Sequence, residues 1–315
     1  MKTIQSRQYI DESDYIAMRA MLMEARALTS DWRYAHVGEL AFNYFMVLIH
    51  LDPRQHIRLW FDGPKLVGFA MLSEDPNIDW QILPGYEWQG IEAEALVWAE
   101  TYLAELRRKD EKKWGGALGS GSRQDNPERI AFLEKNGFSY CGRFAEVNMI
   151  RSLDQPIPEA CLPAGYVVRE LMETGEVPAR AEAERAVWLP WSVGEISDAD
   201  YARLMQMPGY QRDLDVVTVA PDGVIAAYVL GWLDPVNKIG DFGPVGAVTP
   251  YRRQGLTRAA QYEGLRRMKA LGMERVCIST GIANTPARNL YESVGFKIVN
   301  RYLDYTKPNP KPSVL

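Results

Sequence analysis

An internal repeat is the feature that most constrains the fold of this chain. The segment NPERIAFLEKNGF at 126–138 and the segment NTPARNLYESVGF at 284–296 share Asn, Glu, Gly and Phe in one register. Before each of them comes a pair of apolar runs interrupted by Asp-Gly, at 59–72 and at 217–232, which is the signature of a β-hairpin. The same order, shifted by about half the chain, predicts a duplicated domain. Two unrelated α/β domains are the alternative.

The stretch LDQPIPEACLPAG at 153–165 separates the two copies and holds three prolines. Proline removes a backbone donor and favours extended chain, so this stretch is typical of a linker. We therefore predict a first domain over 1–153, a linker over 154–164, a second domain over 165–307 and a tail over 308–315.

Composition narrows the classes of partner. The net charge of −5 argues against a broad nucleic-acid-binding face, which needs excess positive charge. We see no apolar run typical of a signal peptide or a membrane span, so no membrane partner is expected. Cys141, Cys161 and Cys277 lie far apart, without metal-ligand spacing, and an odd number suits no disulfide framework. These features predict a cytoplasmic protein, either a monomer or a homodimer.

The second copy shows the clearest order of elements. Strand patterns precede a glycine turn, and strand, helix and strand follow its long helix, which predicts an α/β fold with a mixed sheet and helices on its faces. The predicted helices cover 175–188, 198–206, 256–271 and 285–294, and the predicted strands cover 214–220, 224–233, 240–248, 275–280 and a last segment from Lys297.

The glycine turn lies in the segment TPYRRQGLTRAAQYEGL at 249–265. The first turn of a helix has N–H groups without intrahelical partners, and Gly255 lets an anion approach them closely. Arg252, Arg253 and Arg258 add positive charge that can reach phosphate oxygens. The pattern favours a phosphate-binding turn. A solvated basic helix start is the alternative.

Both motifs resemble those of the Gcn5-related N-acetyltransferases, the GNAT superfamily. The family's phosphate turn has the pattern Arg/Gln-x-x-Gly-x-Gly/Ala, to which Arg252, Gly255 and Thr257 correspond, with Thr257 departing from the usual small last residue. Its second motif places an asparagine seven positions before a tyrosine, as Asn284 and Tyr291 do here. The resemblance covers the whole second copy and implies two tandem domains, each with a mostly antiparallel central sheet flanked by helices.

The resemblance also implies an acetyl-CoA site and no metal. The strand before the turn would offer its backbone to the pantetheine arm, the amides of the turn would hold the pyrophosphate, and the asparagine of the second motif would contact the cofactor arm. The implied cofactor-binding residues are Val245, Gly246, Ala247, Arg252, Arg253, Gln254, Gly255, Leu256, Thr257, Arg258 and Asn284.

Acetyl transfer to an amine needs a proton acceptor for the amine and a proton donor for the departing sulfur. Tyr291 matches the family's usual proton donor; packing of its helix onto the sheet is the alternative role. Asp241 is the candidate base, because it lies six positions before Ala247 and alternation would put the two side chains on one face. A solvent-facing aspartate is the alternative. Since the last histidine is His56, the second copy cannot use a histidine.

The first copy lacks this chemistry. With Gly90 aligned to Gly255, Glu87 and Glu92 replace Arg252 and Thr257, and a carboxylate there would repel a pyrophosphate. Leu133 replaces Tyr291. We expect a catalytically silent copy, in a tandem layout similar to that of the mycothiol synthases. The predicted function is transfer of an acetyl group from acetyl-CoA to a small-molecule or peptide amine; a non-catalytic acyl-CoA-binding protein is the alternative.

Overall fold

The computed structural model describes residues 4–29, 33–172, 174–189 and 195–309. In the first half of the chain, its elements are β1 (Ile4–Gln8), α1 (Glu12–Thr29), α2 (Val37–Phe42), a π-helical turn (Asn43–Val47), α3 (Pro53–His56), β2 (Ile57–Asp62), β3 (Lys65–Leu72), β4 (Ile78–Ile82), α4 (Ile91–Lys109), α5 (Glu111–Trp114), β5 (Leu118–Arg123), α6 (Pro127–Lys135) and β6 (Ser139–Ser152).

The second half repeats this order closely, and the predicted α/β fold is confirmed. Its elements are β7 (Val167–Glu170), α7 (Val177–Trp188), α8 (Asp198–Leu204), β8 (Asp215–Val219), β9 (Ile225–Asp234), β10 (Ile239–Ala247), α9 (Leu256–Ala270), β11 (Arg275–Gly281), α10 (Thr285–Val294) and β12 (Lys297–Lys307). Of the predicted tail, residues 310–315 lie outside the described part of the chain.

The repeated motif forms the same capped helix twice. The side chain of Asn126 accepts a hydrogen bond from the amide of Arg129 at the start of α6, and Asn284 accepts one from Ala287 at the start of α10. These bonds satisfy N–H groups that a helix start leaves without partners. Both helices are followed by a glycine in the left-handed region, Gly137 at φ 84° and Gly295 at φ 99°. The asparagine and glycine that the two copies share therefore begin and end the same helix in each copy.

The two halves exchange their last strands. One sheet has the order β1-β2-β3-β4, and the other has the order β5-β12-β6-β11-β10-β9-β8-β7. Strand β6 of the first half pairs with β11, and β12 of the second half lies between β5 and β6. The larger sheet therefore crosses the predicted linker, although the domain limits drawn from the sequence remain a prediction.

A shared core reinforces this exchange. One hydrophobic cluster joins side chains of the first half, such as Leu40 and Phe45, to Tyr201 and Trp232 of the second half. Arg26 of α1 is buried and lies 3.7 Å from the carboxylate of Asp234 at the end of β9. Burying apolar surface stabilises by roughly 25 cal/mol per Å², so each half is stabilised by its contact with the other.

A buried ionic cluster fixes α7 on the large sheet. The guanidinium of Arg180 is fully buried, bonds Glu184 at 2.7 Å and Asp215 at 3.0 Å, and lies 3.7 Å from the ring centroid of Tyr228. Removing one partner of such a buried pair costs about 3–5 kcal/mol, because the other charge is left uncompensated. Trp188, the last residue of the same helix, lines the cavity described below.

Strands β10 and β11 separate after a short parallel stretch. Their pairing covers only Ile239–Asp241 against Arg275–Cys277. Along the other edge of β10, a bulge between Phe242 and Val245 adds one residue relative to β9. The two strands diverge at this point, and the cavity described below lies between them.

Among the described residues, no helix combines the length and the apolar character that crossing a lipid bilayer requires.

Candidate active site

A cavity of about 400 Å³ lies where β10 and β11 diverge. Its walls come from β10, β11 and α10 of the second half, and from α2 and β6 of the first half. Both predicted catalytic residues, Asp241 and Tyr291, line it, together with Val245 and Asn284 of the predicted cofactor set. A single enclosed site thus brings the candidate catalytic residues together, and both halves of the chain build it.

The predicted phosphate turn follows β10 after a single 3-10 turn (Thr249–Tyr251) and has an open geometry. Gly255 adopts φ 77° and Arg253 adopts φ 64°. The first intrahelical bond of α9 runs from the amide of Ala259 to the carbonyl of Gly255, so the amides before Ala259 have no acceptor one turn earlier in the helix. A Cβ atom built on Gly255 would meet nothing closer than 3.5 Å, where it would meet the Arg258 guanidinium. The turn is therefore open to an anion.

The remaining residues of the turn support this geometry. Arg252 donates a hydrogen bond from Nε to the carbonyl of Ala247 at 3.0 Å, which ties the turn to the end of β10. Gln254 and Arg258 are exposed, whereas Leu256 and Thr257 are buried. Because its side chain is buried, Thr257 does not cover the turn, so its departure from the family pattern leaves the amides accessible.

Asp241 is held at the point where the strands separate. It is 8% exposed, and its Oδ1 accepts a hydrogen bond from the Cys277 thiol at 3.3 Å. Burial is the main cause that raises the pKa of Asp241 to about 6, and the Cys277 hydrogen bond and the charge of Arg26 offset part of this effect. A carboxyl group with this pKa is largely ionised at neutral pH and can accept a proton.

The alternation argument for Asp241 and Ala247 is wrong. Asp241 pairs with Trp232 of β9 and Ala247 pairs with Ala227, five residues apart by the register. An odd spacing puts the two side chains on opposite faces. The bulge in β10 supplies the extra residue that reverses the alternation. Asp241 lines the cavity all the same, because it lies before the bulge and the extra residue does not change its orientation.

Two residues of the first half, His36 and Gly38, lie beside Asp241, and the sequence indicated neither of them. His36 Nδ1 lies 3.8 Å from Asp241 Oδ2, and it accepts a hydrogen bond from the Gly38 amide at 3.0 Å. Burial, with the charge of Arg26, lowers the pKa of His36 well below its ordinary value. The ring is therefore neutral, and its Nε2 donates to the carbonyl of Ile239 at 3.2 Å. A second-half histidine is absent, as expected, but the first half supplies one.

His36, Asp241 and Cys277 form the one group, in the part of the chain described, whose ligand atoms could surround a metal ion. All of these atoms lie within 4.8 Å of one another. The Nδ1 lone pair of His36 already accepts the Gly38 amide, and the pKa of the Cys277 thiol is raised well above its usual value by burial and by Asp241. Cys277 donates a hydrogen bond to Asp241, whereas both ring nitrogens of His36 bond backbone groups; the absence of a metal stays a prediction.

Tyr291 lies on α10 and is 6% exposed. Burial, followed by the nearby charge of Asp241, raises the pKa of Tyr291, so the phenol keeps its proton at neutral pH. Asn284 also lines the cavity, but its side-chain oxygen caps α10, so its amide group is the part left to meet a ligand. Tyr291 and Asp241 therefore offer a proton donor and a proton acceptor in one cavity.

Two further carboxyl groups line the cavity. Glu39 lies in the first turn of α2, and Glu146 lies on β6 opposite Gly281 of β11. Neither residue belongs to a motif of the sequence, because both come from the first half and reach the site only through packing and strand exchange.

The corresponding turn of the first half is already occupied. Trp88 and Gly90 adopt φ 60° and φ 112°, which repeats the geometry of Arg253 and Gly255. There, however, the carboxylate of Glu92 accepts a hydrogen bond from the amide of Trp88 at 2.6 Å. In the first half, the side chain of Glu92 therefore supplies the negative charge at the helix start.

The close packing of Gly38 against Asp241 gives a first prediction. A Cβ atom at Gly38 would fall inside van der Waals contact with Asp241 Oδ2 and would lie 2.8 Å from Cδ1 of Trp232. We expect Gly38→Ala to move Asp241 and to lower turnover by about 10- to 100-fold, with acetyl-CoA affinity kept. The matched control is Gly175→Ala, where a Cβ meets nothing within 4 Å. Equal turnover in both variants would contradict this role of α2.

Comparison with known sequences shows what this chain is similar to. The sequence model described as Acetyltransferase (GNAT) family matches residues 180–296. A mycothiol acetyltransferase of Thermobispora bispora is 28% identical over 254 residues, which are 76% of this chain and 79% of the relative. One of Pseudarthrobacter chlorophenolicus is 23% identical over 243 residues, or 74% and 72% of the two chains.

Solved structures share the fold over nearly the full length. A GCN5-related N-acetyltransferase from Sphaerobacter thermophilus superposes with a TM-score of 0.64 at 19% identity, covering 96% of this chain and 95% of that one. A tandem GNAT protein from the clavulanic acid biosynthesis pathway gives 0.64 at 16% identity, covering 98% and 100%. The likeness therefore extends over both halves.

Proposed function

Since this chain belongs to the GNAT acetyltransferase superfamily and carries its family match over residues 180–296, we propose that it transfers an acetyl group from acetyl-CoA to an amine. One observation carries the proposal: an open helix-start turn lies shortly after a strand that diverges from its neighbour, and the resulting gap holds Asp241 and Tyr291, which can accept and donate a proton. A two-part co-substrate, with a pyrophosphate and a thioester arm, suits this combination.

We assign the cofactor contacts as follows. The amides from Arg253 to Arg258 face the pyrophosphate, and the positive end of α9 favours its charge. Beyond Asp241, the edge of β10 that faces β11 has no strand partner in the described pairing, so Val245, Gly246 and Ala247 offer backbone groups to the pantetheine arm. Acetyl-CoA supplies the activated acetyl group.

The residues of the cavity complete the transfer. The amine nitrogen forms a bond to the acetyl carbonyl carbon as the carbon–sulfur bond breaks and its electron pair stays on sulfur. Asp241 accepts the proton that nitrogen loses, and Tyr291 gives a proton to sulfur, so the amine loses one proton and the thiolate gains one. Holding amine and thioester together in the cavity supplies a further part of the rate.

We propose a small-molecule amine as the acceptor. The cavity is about 400 Å³ and is closed on one side by α2 of the first half, which leaves little room for a folded polypeptide. Both relatives described above are named mycothiol acetyltransferases, which is consistent with a small acceptor. All three cysteines are free, which suits a reducing compartment, and we place the enzyme in the cytoplasm.

Tyr291→Phe tests whether the protein is a catalyst or only binds acetyl-CoA. We expect turnover of an amine to fall about 100-fold, because phenylalanine cannot donate a proton to sulfur. Acetyl-CoA affinity, measured by calorimetry, should stay within about threefold. The control is Tyr140→Phe, an exposed tyrosine on β6. Unchanged turnover in Tyr291→Phe would remove Tyr291 from the mechanism.

A further inference from the structure

We propose that the acceptor carries a second ammonium group, which stays protonated during the reaction, besides the amine that is acetylated, and that Glu39 and Glu146, contributed by the first half, bind it. This inference rests on the proposed function and names the class of acceptor for the same cavity, a diamine or polyamine.

Position is the first argument. Glu39 directly follows Gly38, whose backbone is in contact with Asp241, and it lines the cavity on the side of α2. Glu146 lines it from β6, on the strand that the first half inserts beside β11. A ligand whose amine reaches Asp241 therefore extends past two more carboxyl groups.

The charge balance of the cavity wall is the second argument. Arg26 is the cation that lines the wall within the described ranges, and it already pairs with Asp234 and donates to the carbonyl of Tyr34 at 2.7 Å. His36 is neutral because both ring nitrogens are used in backbone hydrogen bonds. Within the described lining, Asp241, Glu39 and Glu146 thus share one arginine, which already pairs with Asp234.

Mutual repulsion among these acids is the third argument. Burial is the main cause that raises the pKa of Glu39 to about 8, and the charges of Glu146, Asp79 and Asp241 raise it further, against a smaller effect of Arg26. Burial also raises the pKa of Glu146, which a hydrogen bond from Ser279 offsets in part. A cation among these groups would restore their ionised forms, so its binding releases protons.

One amine alone does not satisfy this arrangement. The attacking nitrogen must be neutral when it reacts, because its lone pair forms the new bond, and Asp241 takes its proton. After that transfer, Glu39 and Glu146 still line the cavity, and a neutral ligand leaves them either protonated or with a costly uncompensated charge. A second ammonium, which keeps its charge throughout the reaction, provides the counter-charge.

The test is calorimetric titration of three ligands of equal chain length into the protein saturated with coenzyme A. The ligands are butane-1,4-diamine, butylamine and 4-aminobutan-1-ol, and the proteins are the wild type, Glu39→Gln and the control Glu105→Gln, an exposed acid on α4. Titrations at pH 7 in buffers of different ionisation enthalpy give the number of protons released.

In the wild type and the control, we expect the diamine to bind at least about tenfold more tightly than the other two ligands, because a charge-assisted bond in a desolvated site is worth about this much. It should also release more protons than butylamine. Glu39→Gln should remove most of both differences.

Equal affinity of the three ligands would overturn the inference. A preference for the amino alcohol would also overturn it and would point to a hydroxylated acceptor. So would a diamine preference that survives Glu39→Gln. Saturation with coenzyme A is measured first in every variant. Its failure in the wild type would contradict the proposed acetyltransferase itself, whereas normal coenzyme A binding without a diamine preference contradicts only the acceptor class.

Discussion

The double variant Arg253→Glu, Gly255→Glu is expected to lose acetyl-CoA binding by at least about 100-fold, the combined effect of removing a phosphate contact and adding repulsion. The wild-type turn leaves its amides open above Gly255 at φ 77°. A glutamate there adds a carboxylate that competes for these amides. In the first half, a glutamate two positions after the turn glycine, Glu92, already accepts a hydrogen bond from the amide of Trp88 at 2.6 Å, which shows that a carboxylate can occupy such a turn.

Calorimetric titration of acetyl-CoA into the intact chain measures this effect and also the number of sites. We expect one site per chain, because the turn of the first half is occupied by its own carboxylate. The matched control is Trp88→Glu, which places a glutamate at the first-half position equivalent to Arg253 and should leave the single site intact. Two sites in the wild type would contradict a silent first half, and unchanged affinity in the double variant would remove the turn from the cofactor site.

Asp241→Asn is expected to lower kcat by about 10³-fold, within the usual range for loss of a general base. Asparagine keeps the shape of the side chain but cannot take the proton of the amine. Acetyl-CoA affinity should change little, because the phosphate turn lies beyond the far end of β10.

The pH profile identifies the group. Since the pKa of Asp241 is raised to about 6, its active, ionised form is lost as the pH falls through that value. The value of kcat/KM should therefore rise with pH through about 6 in the wild type, and this step should be absent in Asp241→Asn. The exposed Asp213, changed to asparagine, serves as the control. A full rate with an unchanged profile in Asp241→Asn would mean that positioning alone drives the reaction.

Local chemistry made part of this protein predictable. Asn126 and Asn284 are helix caps, Gly137 and Gly295 are helix stops, and Arg253 and Gly255 adopt left-handed backbone at the turn. Each feature depends on residues within a few positions along the chain. For that reason, the order of elements and the bounds of the second-half helices could be predicted closely.

The bulge in β10 shows where such reasoning stops. Alternation along a strand assumes one residue for one residue across the ladder, and the extra residue between Phe242 and Val245 breaks this assumption. The sequence indicated Asp241 correctly as a residue of the cavity, but for a reason that the register contradicts.

The sequence by itself predicted the duplication and the α/β elements from patterns that recur in each half, and it predicted the phosphate turn and the candidate pair Asp241 and Tyr291 from motifs of the second half. Only the tertiary structure decided that the last strands are exchanged, and that α2 and β6 of the first half bring Gly38, Glu39 and Glu146 to the cavity. Contacts between residues a hundred or more positions apart arise from burial of shared apolar surface, and this burial leaves no local pattern in the sequence from which the contacts could be predicted. The first half thus forms one wall of the cavity that holds Asp241 and Tyr291.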